Sequence, residues 1–588
     1  MFASQSIISL RTLLTVQHLP DYKSSSSQVA LAQEDEPDPW DLPEFNLKVV
    51  PWSDLSTAGK VKRVVWDYFL RFIVLLGLLY LFICSLSFLS NAFQLLGGKE
   101  AGEAFKNKQL LGNPVAGLML GVLATVLVQS SSTSTSIVVA MVSAGALEVK
   151  FAVFIIMGAN IGTSVTNTIV SITQISDKDQ FRRAFAGATV HDMFNWLSVI
   201  ILLIIEWASS FLYHFSNWLV SNVSSEMDYE DTELLKTITK PFTKLVISLD
   251  KNKIKSIATG KKRRDEISTI IKTCYSTKTN ETCANLTMLA SNETGNCSYE
   301  VPKEDCYYLF KNVTEVWDDK VIGAVLLVAS LALMSISLIL IVKLLQSILK
   351  GKVAKVIRKF LNSDFPGPLR YLTGYVAILI GCGVTIMVQS SSIFTSSLTP
   401  LVGMGVITVD RMYPLTLGSN IGTTFTAVLA ALASDNIHDT LQIALCHLFF
   451  NICGIIIWYP IPFMRKVPIN MAKFLGTTTA KYRWFAILYI ILMFFLFPLS
   501  VFALSLPGWY VLLAVYGPFV ILIVVILIVK FIQTKRPEAL PENLRNWKWL
   551  PECLRSLAPL DRLLTRCNCC KYTRCCGCCD IEVNITDP

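Results

Sequence analysis

Long apolar runs and short polar breaks divide the chain. Residues 322–342 are 21 consecutive uncharged positions, enough for the roughly 20 that a helix needs to cross a bilayer core. Residues 72–96, 151–175, 184–212, 414–434, 441–459, 484–506 and 511–529 have similar character. Two further apolar stretches are interrupted. Residues 110–143 carry Gly112, Pro114, Gly117 and Gly121, then a run of Gln and hydroxyl side chains from Gln129 to Ser136. That pattern predicts two half-helices meeting at a polar tip. A second stretch, with Pro366, Pro368, Gly374, Gly381 and Gly383, leads into Gln389-Ser390-Ser391-Ser392. The alternation that a transmembrane barrel requires is absent, so the pattern predicts an all-α polytopic membrane protein.

The two breaks are copies. Aligning Gln129 with Gln389 gives 15 identities over 38 ungapped positions, ending in Asn160-Ile161-Gly162-Thr163 and Asn420-Ile421-Gly422-Thr423. Unrelated segments of ordinary composition would share about two or three. Further on, His191–Asn195 and His447–Asn451 both read H-x-x-F-N. Paired Gly/Pro-interrupted segments in two homologous halves point to a transporter site, and an inverted arrangement of the halves is the usual one.

Composition and charge refine this picture. Hydrophobic residues make up 53% and charged residues 16%, against roughly 25% charged in a soluble domain. The net charge of +9 sits largely on Lys and Arg at the ends of apolar spans, as the positive-inside rule expects, and not on a nucleic-acid face. Residues 1–65 read as a polar cytoplasmic tail without a cleavable leader. A first transmembrane repeat is expected over 66–220 and a hydrophilic insertion over 221–318. The second repeat follows over 319–460, then a C-terminal transmembrane hairpin over 461–531 and a cytoplasmic Cys-rich tail over 532–588. The insertion interleaves five N-x-S/T sequons, Asn280, Asn285, Asn292, Asn296 and Asn312, with Cys274, Cys283, Cys297 and Cys306. It therefore reads as a large extracellular, glycosylated and disulfide-containing loop, with three pairings open. The tail cysteines favour palmitoylation over zinc, because no His and no clean CxxC…CxxC pair accompanies them.

Hydroxyls, amides and half-helix N-termini suit a compact oxyanion, and the same oxygens suit Na⁺. No Lys or Arg occurs in 110–147 or 371–409. An anion there needs co-bound cations, so the residues predict a cation-coupled anion symporter with no cofactor and no metal beyond Na⁺. The bland alternative is interhelical hydrogen-bond glue; the in-register duplication favours a substrate site. His191 and His447 read as packing residues rather than proton relays. Asp192, opposite Leu448 in the other half, reads as a cation ligand rather than a helix-end carboxylate facing water. An anion channel and a Ser-based intramembrane hydrolase are the rival classes. No G-x-S-x-G signature supports the hydrolase, so no enzyme activity is expected.

With both Gln-Ser-Ser-Ser repeats, both Asn-Ile-Gly-Thr blocks and the glycosylated loop, the chain resembles the type II sodium–phosphate cotransporters, solute carrier family 34, from about residue 66 to about residue 549. Its Cys-rich tail resembles the IIb subtype. The resemblance implies electrogenic uptake of divalent phosphate with three Na⁺ by alternating access, at the apical plasma membrane of epithelia with both termini cytoplasmic. It implies phosphate binding at Gln129, Ser130, Ser131, Ser132, Gln389, Ser390, Ser391 and Ser392. Sodium would be held at Gln174, Asp177, Asn195, Ser419, Thr423 and Thr426. Electrogenic members carry Asp at the place of Asp192, where the electroneutral subtype has Gly.

Overall fold

The computed structural model describes residues 40, 55–62, 65, 69–106, 113–143, 147–221, 241–272, 275–280, 297–302, 308–310, 316–348, 359, 362–432, 437–547 and 549–566. Two compact units, 1–41 and 42–588, divide the chain, and every described residue except Trp40 lies in the second. The architecture is all-α, and eight of the described helices are long and apolar enough to cross a membrane.

Helix α1 (Arg71–Lys106) opens the first half. Its apolar run ends near residue 96, but the helix continues because Gly97 packs on Leu127 and Gly98 on Ile254. The half-helix α2 (Pro114–Val128) starts at Asn113, whose side chain accepts from Val115 N and Ala116 N, with Pro114 at the first helical position. The second half-helix is α3 (Ser131–Ser143). The expected span 151–175 is two helices, α4 (Val149–Gly162) and α5 (Val165–Ile172). Near the break the Thr163 hydroxyl bonds back to Ala159 O at 2.9 Å, the kind of local side-chain bond that competes with the helix ladder. Helices α6 (Lys178–Ser209) and α7 (Phe211–Val220) close the half, hinged at Ser210 in the left-handed region.

In the insertion, α8 (Lys251–Ala258) precedes an antiparallel hairpin of β1 (Tyr275–Asn280) and β2 (Cys297–Pro302), with Asn280 opposite Cys297. A buried carboxylate ties this region to the membrane helices. Asp319 accepts from Thr269 Oγ1, from Ile270 N at 2.9 Å and from Lys99 Nζ at 3.0 Å.

The second half repeats the order with α9 (Asp319–Ile348), α10 (Arg370–Val388), α11 (Ser391–Gly403), α12 (Val409–Leu432) and α13 (Ile437–Trp458). Small residues let α2 and α4 touch along their backbones. A Cβ added to Gly158 would lie 1.9 Å from Leu118 O, and one on Gly121 2.0 Å from Ile155 O. The same contact recurs between α10 and α12, where a Cβ on Gly418 would lie 1.9 Å from Ile378 O and one on Gly381 2.2 Å from Leu415 O. Such close approach is how membrane helices gain packing when lipid gives no hydrophobic drive.

The segment expected as the C-terminal hairpin opens with a further helix, α14 (Pro462–Lys481), packed along α6. Its buried residues, Ile469, Ala472, Gly476, Thr479 and Ala480, follow the helical period, a stripe hidden by the intervening Lys and Thr residues. The C-terminal hairpin comprises α15 (Phe485–Ile491), a π-helical turn (Leu492–Leu496), α16 (Phe497–Ser505) and α17 (Trp509–Lys535). No residue of α17 is buried, as expected of a helix that faces lipid. Ahead of α10, Asp364 bonds Arg411 and Arg370, the latter at 2.8 Å. Its slight burial raises the carboxyl's pKa, but the two guanidiniums outweigh that and hold it below the usual range.

Candidate functional site

Both half-helix pairs turn on a glutamine. Gln129 sits at φ 53°, ψ 28° and Gln389 at φ 53°, ψ 25°, the left-handed region that side chains other than Gly seldom enter. Each ends its helix with one backbone bond, Gln129 N to Thr125 O and Gln389 N to Thr385 O, both 2.7 Å. The serine that follows then starts the next helix. Ser130 Oγ accepts from Thr133 N at 3.2 Å, and Ser390 Oγ from Ile393 N at 3.3 Å. Two helix N-termini, each bearing hydroxyls and backbone donors, are thus made by one local device used twice. Ser131, Ser391 and Ser392 are buried, whereas Ser130, Ser132 and Ser390 are half-buried. Gln129 is anchored by its own side chain, with Nε2 donating to Val126 O (2.7 Å) and Oε1 accepting from Thr166 Oγ1 (2.8 Å). One amide hydrogen and one carbonyl lone pair remain for a ligand.

The two halves also meet in a crossed polar lattice. His191 Nε2 meets Asn420 Oδ1 at 2.6 Å, and His447 Nε2 meets Asn160 Oδ1 at 3.2 Å. Asn160 and Asn420 are matched positions, as are His191 and His447, so each half supplies the histidine for the other half's asparagine. Each histidine, expected as a satisfied packing residue, is bonded through Nε2, while its Nδ1 has no partner among the described residues. Asn195 joins the lattice, accepting from Asn420 Nδ2 at 2.9 Å and donating to Asn160 O at 2.9 Å and Ser164 Oγ at 3.3 Å. A second cross-half contact involves Asn167, whose Oδ1 accepts from Thr395 Oγ1 (2.8 Å) and Ser396 Oγ (2.9 Å) of α11. No feature of the sequence singled out Asn167. Its counterpart in the aligned repeat is Ala427, and the matched hydroxyl of Thr135 has no partner among the described residues.

The other expected sodium residues are scattered over several settings. Ser419 accepts from Thr385 Oγ1 at 2.9 Å, and Thr423 Oγ1 donates to Ser419 O at 3.0 Å. Gln174 is buried, and neither end of its amide is bonded among the described residues. It lies against Gly403 at the end of α11, near where the buried Arg183 donates to Gly403 O at 2.9 Å. Asp177 is exposed and caps α6, accepting from Asp179 N, Gln180 N and Gln180 Nε2. Its carboxylate is engaged by that cap, and it differs in this from the buried residues of the lattice. Asp192 is fully buried, with Oδ2 accepting from Tyr489 OH (3.2 Å) and Thr168 Oγ1 (3.4 Å). It is no helix-end carboxylate facing water.

The side chain of Thr426 lies outside the described residues, as do those of Asn280 and Cys297. Asn285, Asn292, Asn296, Asn312, Cys274, Cys283, Cys306 and the cysteines from 567 onward also lie outside them. Among the described residues, no group of His, Cys, Asp and Glu could hold a metal ion.

A family model described as Na+/Pi-cotransporter matches residues 81–216 and 326–502. Sodium-dependent phosphate transport protein 2B of Pongo abelii is 49% identical over 96% of this chain and 84% of its own length. The 2B protein of Homo sapiens is 49% identical over 96% of this chain and 83% of its own. Sodium-dependent phosphate transport protein 2A of Ovis aries is 52% identical over 84% of this chain and 77% of its own. No solved structure matches the chain.

Proposed function

Because the chain belongs to the Na+/Pi-cotransporter family, a family of transporters and not of enzymes, we propose that it carries inorganic phosphate into the cell together with Na⁺. The observation that carries this reading is the pair of left-handed glutamines, each starting a hydroxyl-bearing helix, in segments with no Lys or Arg. Such tips offer donors to a phosphate oxyanion but no fixed counter-charge, so cations must enter with it.

Phosphate is bound at Gln129–Ser132 and Gln389–Ser392. Sodium is bound by oxygens from Gln174, Asn195, Ser419, Thr423 and Thr426, with Asp177 at their edge. Asp192 adds the fixed negative charge that takes a further cation, so that three Na⁺ accompany one divalent phosphate and one positive charge enters per cycle. We assign each half three crossings (α1, α4–α5 and α6; α9, α12 and α13) plus one re-entrant pair, placing α10, though it is itself long and apolar enough to cross, with α11 as the counterpart of α2 and α3. An odd number of crossings places the second half upside down relative to the first, which gives an inverted repeat and alternating access. The same topology puts the sequons and cysteines of 221–318 outside the cell and both termini inside. The chain acts at the apical plasma membrane, and the tail cysteines accept palmitate.

The test is two-electrode voltage clamp with radiolabelled phosphate uptake in expressing cells, varying Na⁺ and phosphate together. Uptake is expected to vanish when Na⁺ is replaced by choline, and net inward charge to scale with phosphate. Equal uptake with and without Na⁺ would establish a channel instead.

A further inference from the structure

Asp192 is an expected cation ligand whose surroundings are drawn partly from outside the two repeats. Its carboxylate is fully buried, Oδ1 has no hydrogen-bond partner among the described residues, and no ion pair reaches it among them. A lone buried carboxylate of this kind is stabilised by a bound cation. The group that holds the other oxygen is the hydroxyl of Tyr489, donating to Oδ2 at 3.2 Å, and Tyr489 belongs to α15 of the C-terminal hairpin.

The tyrosine is locked in place. Its ring meets Phe185 edge-on at 5.7 Å and Phe494 at 6.2 Å. Phe185 precedes Asp192 by two turns of α6 and so shares its face. Phe494 sits in the π-helical turn Leu492–Leu496, and one wide turn of this kind inside a helix frequently marks a functional site. On α5, Thr168 completes the grip on Oδ2 at 3.4 Å. Thr168 shares its single hydroxyl hydrogen with Ser164 O at 3.2 Å, so the Tyr489 hydroxyl is the main donor that orients the carboxylate, and Oδ1 is left to coordinate.

We propose that the C-terminal hairpin completes the cation site, with Tyr489 as the positioning residue that fixes the Asp192 carboxylate and thereby sets how tightly this Na⁺ is held. The inference rests on the reading of Asp192 as a cation ligand. It gives the hairpin a part in coupling rather than in anchoring alone.

Tyr489→Phe removes one oxygen and keeps the ring. Under voltage clamp, with currents normalised to surface-labelled protein, this variant is expected to raise the Na⁺ concentration for half-maximal current threefold or more. At saturating Na⁺, half-saturation by phosphate should move less than twofold, a split that general loosening of the fold would not produce. In an Asp192→Gly background, Tyr489→Phe should add nothing to the Na⁺ dependence of uptake. Tyr516→Phe, which removes a hydroxyl of the same hairpin that meets Ser500 rather than Asp192, should leave Na⁺ half-saturation unchanged. Wild-type Na⁺ dependence of Tyr489→Phe, while Asp192→Gly still removes current, would overturn the proposal and leave Asp192 as a ligand. Unchanged charge per phosphate in Asp192→Gly would overturn the underlying reading instead. A threefold shift in Tyr516→Phe, or failure of Tyr489→Phe to reach the surface, would show the effect to be structural and count equally against it.

Discussion

Single side chains decide which parts of the tips are scaffold and which are free to bind. Gln129 already spends one amide hydrogen and one lone pair on its own half, so the serine hydroxyls carry the larger share of a ligand's hydrogen bonds. Replacing Ser130, Ser131 and Ser132 together by Ala is expected to lower radiolabelled phosphate uptake at least tenfold, since each hydrogen bond to a charged group contributes about 1.5–3 kcal/mol. Retained uptake per surface molecule would move the site elsewhere. Asp192→Gly is expected to keep part of the Na⁺-dependent uptake while losing the inward current, read as charge per phosphate. The serine cluster and Asp192 were legible in the sequence, because a hydroxyl cluster or a carboxylate in an apolar run is costly wherever it lies. Tyr489 was not legible. A tyrosine in an apolar span is ordinary, and only the packing of α15 beside α5 shows what its hydroxyl bonds.

At the scale of elements, the glycines matter as contact points. Gly418→Ala would set a methyl 1.9 Å from Ile378 O, whereas a Cβ on Gly383 of α10 would meet nothing within 4 Å. Gly418→Ala is therefore expected to force α10 and α12 apart and to lower the melting temperature and surface yield sharply, with Gly383→Ala near wild type in both. Equal behaviour of the two would refute the backbone contact. Outside the membrane, the depressed carboxyl of Asp364 contributes stability that is present above its ordinary pKa of 3.8 and lost only as pH falls through its lower folded value. Between pH 5 and pH 8 this clamp should stay closed, so pH effects on uptake in that range arise elsewhere. The apolar pattern marked most of the long apolar helices but not α14. Its buried stripe is narrow and interrupted, and only burial against α6 separates it from a polar connector.

For the molecule as a whole, the crossed lattice is the seam between the halves. Asn420→Ala would strip partners from His191 Nε2 and Asn195 Oδ1 at once. Each buried group left unsatisfied costs about 1–3 kcal/mol, so a clear loss of thermal stability in detergent is expected, with a smaller loss for Asn160→Ala at its longer contact. The duplication was visible along the chain, but the exchange of partners was not, because matched residues say nothing of whether each binds within its own copy or across. That exchange bears on ancestry. A residue i that meets j on the other unit, while j meets i, is what two identical subunits make across a two-fold axis. A gene encoding one half alone would leave its asparagine and histidine without partners unless a second molecule arrived in the opposite sense. The fused chain has the internal form of a homodimer whose subunits have since diverged, Asp192 on one side and Leu448 on the other, so that one copy came to hold a charge its twin lacks.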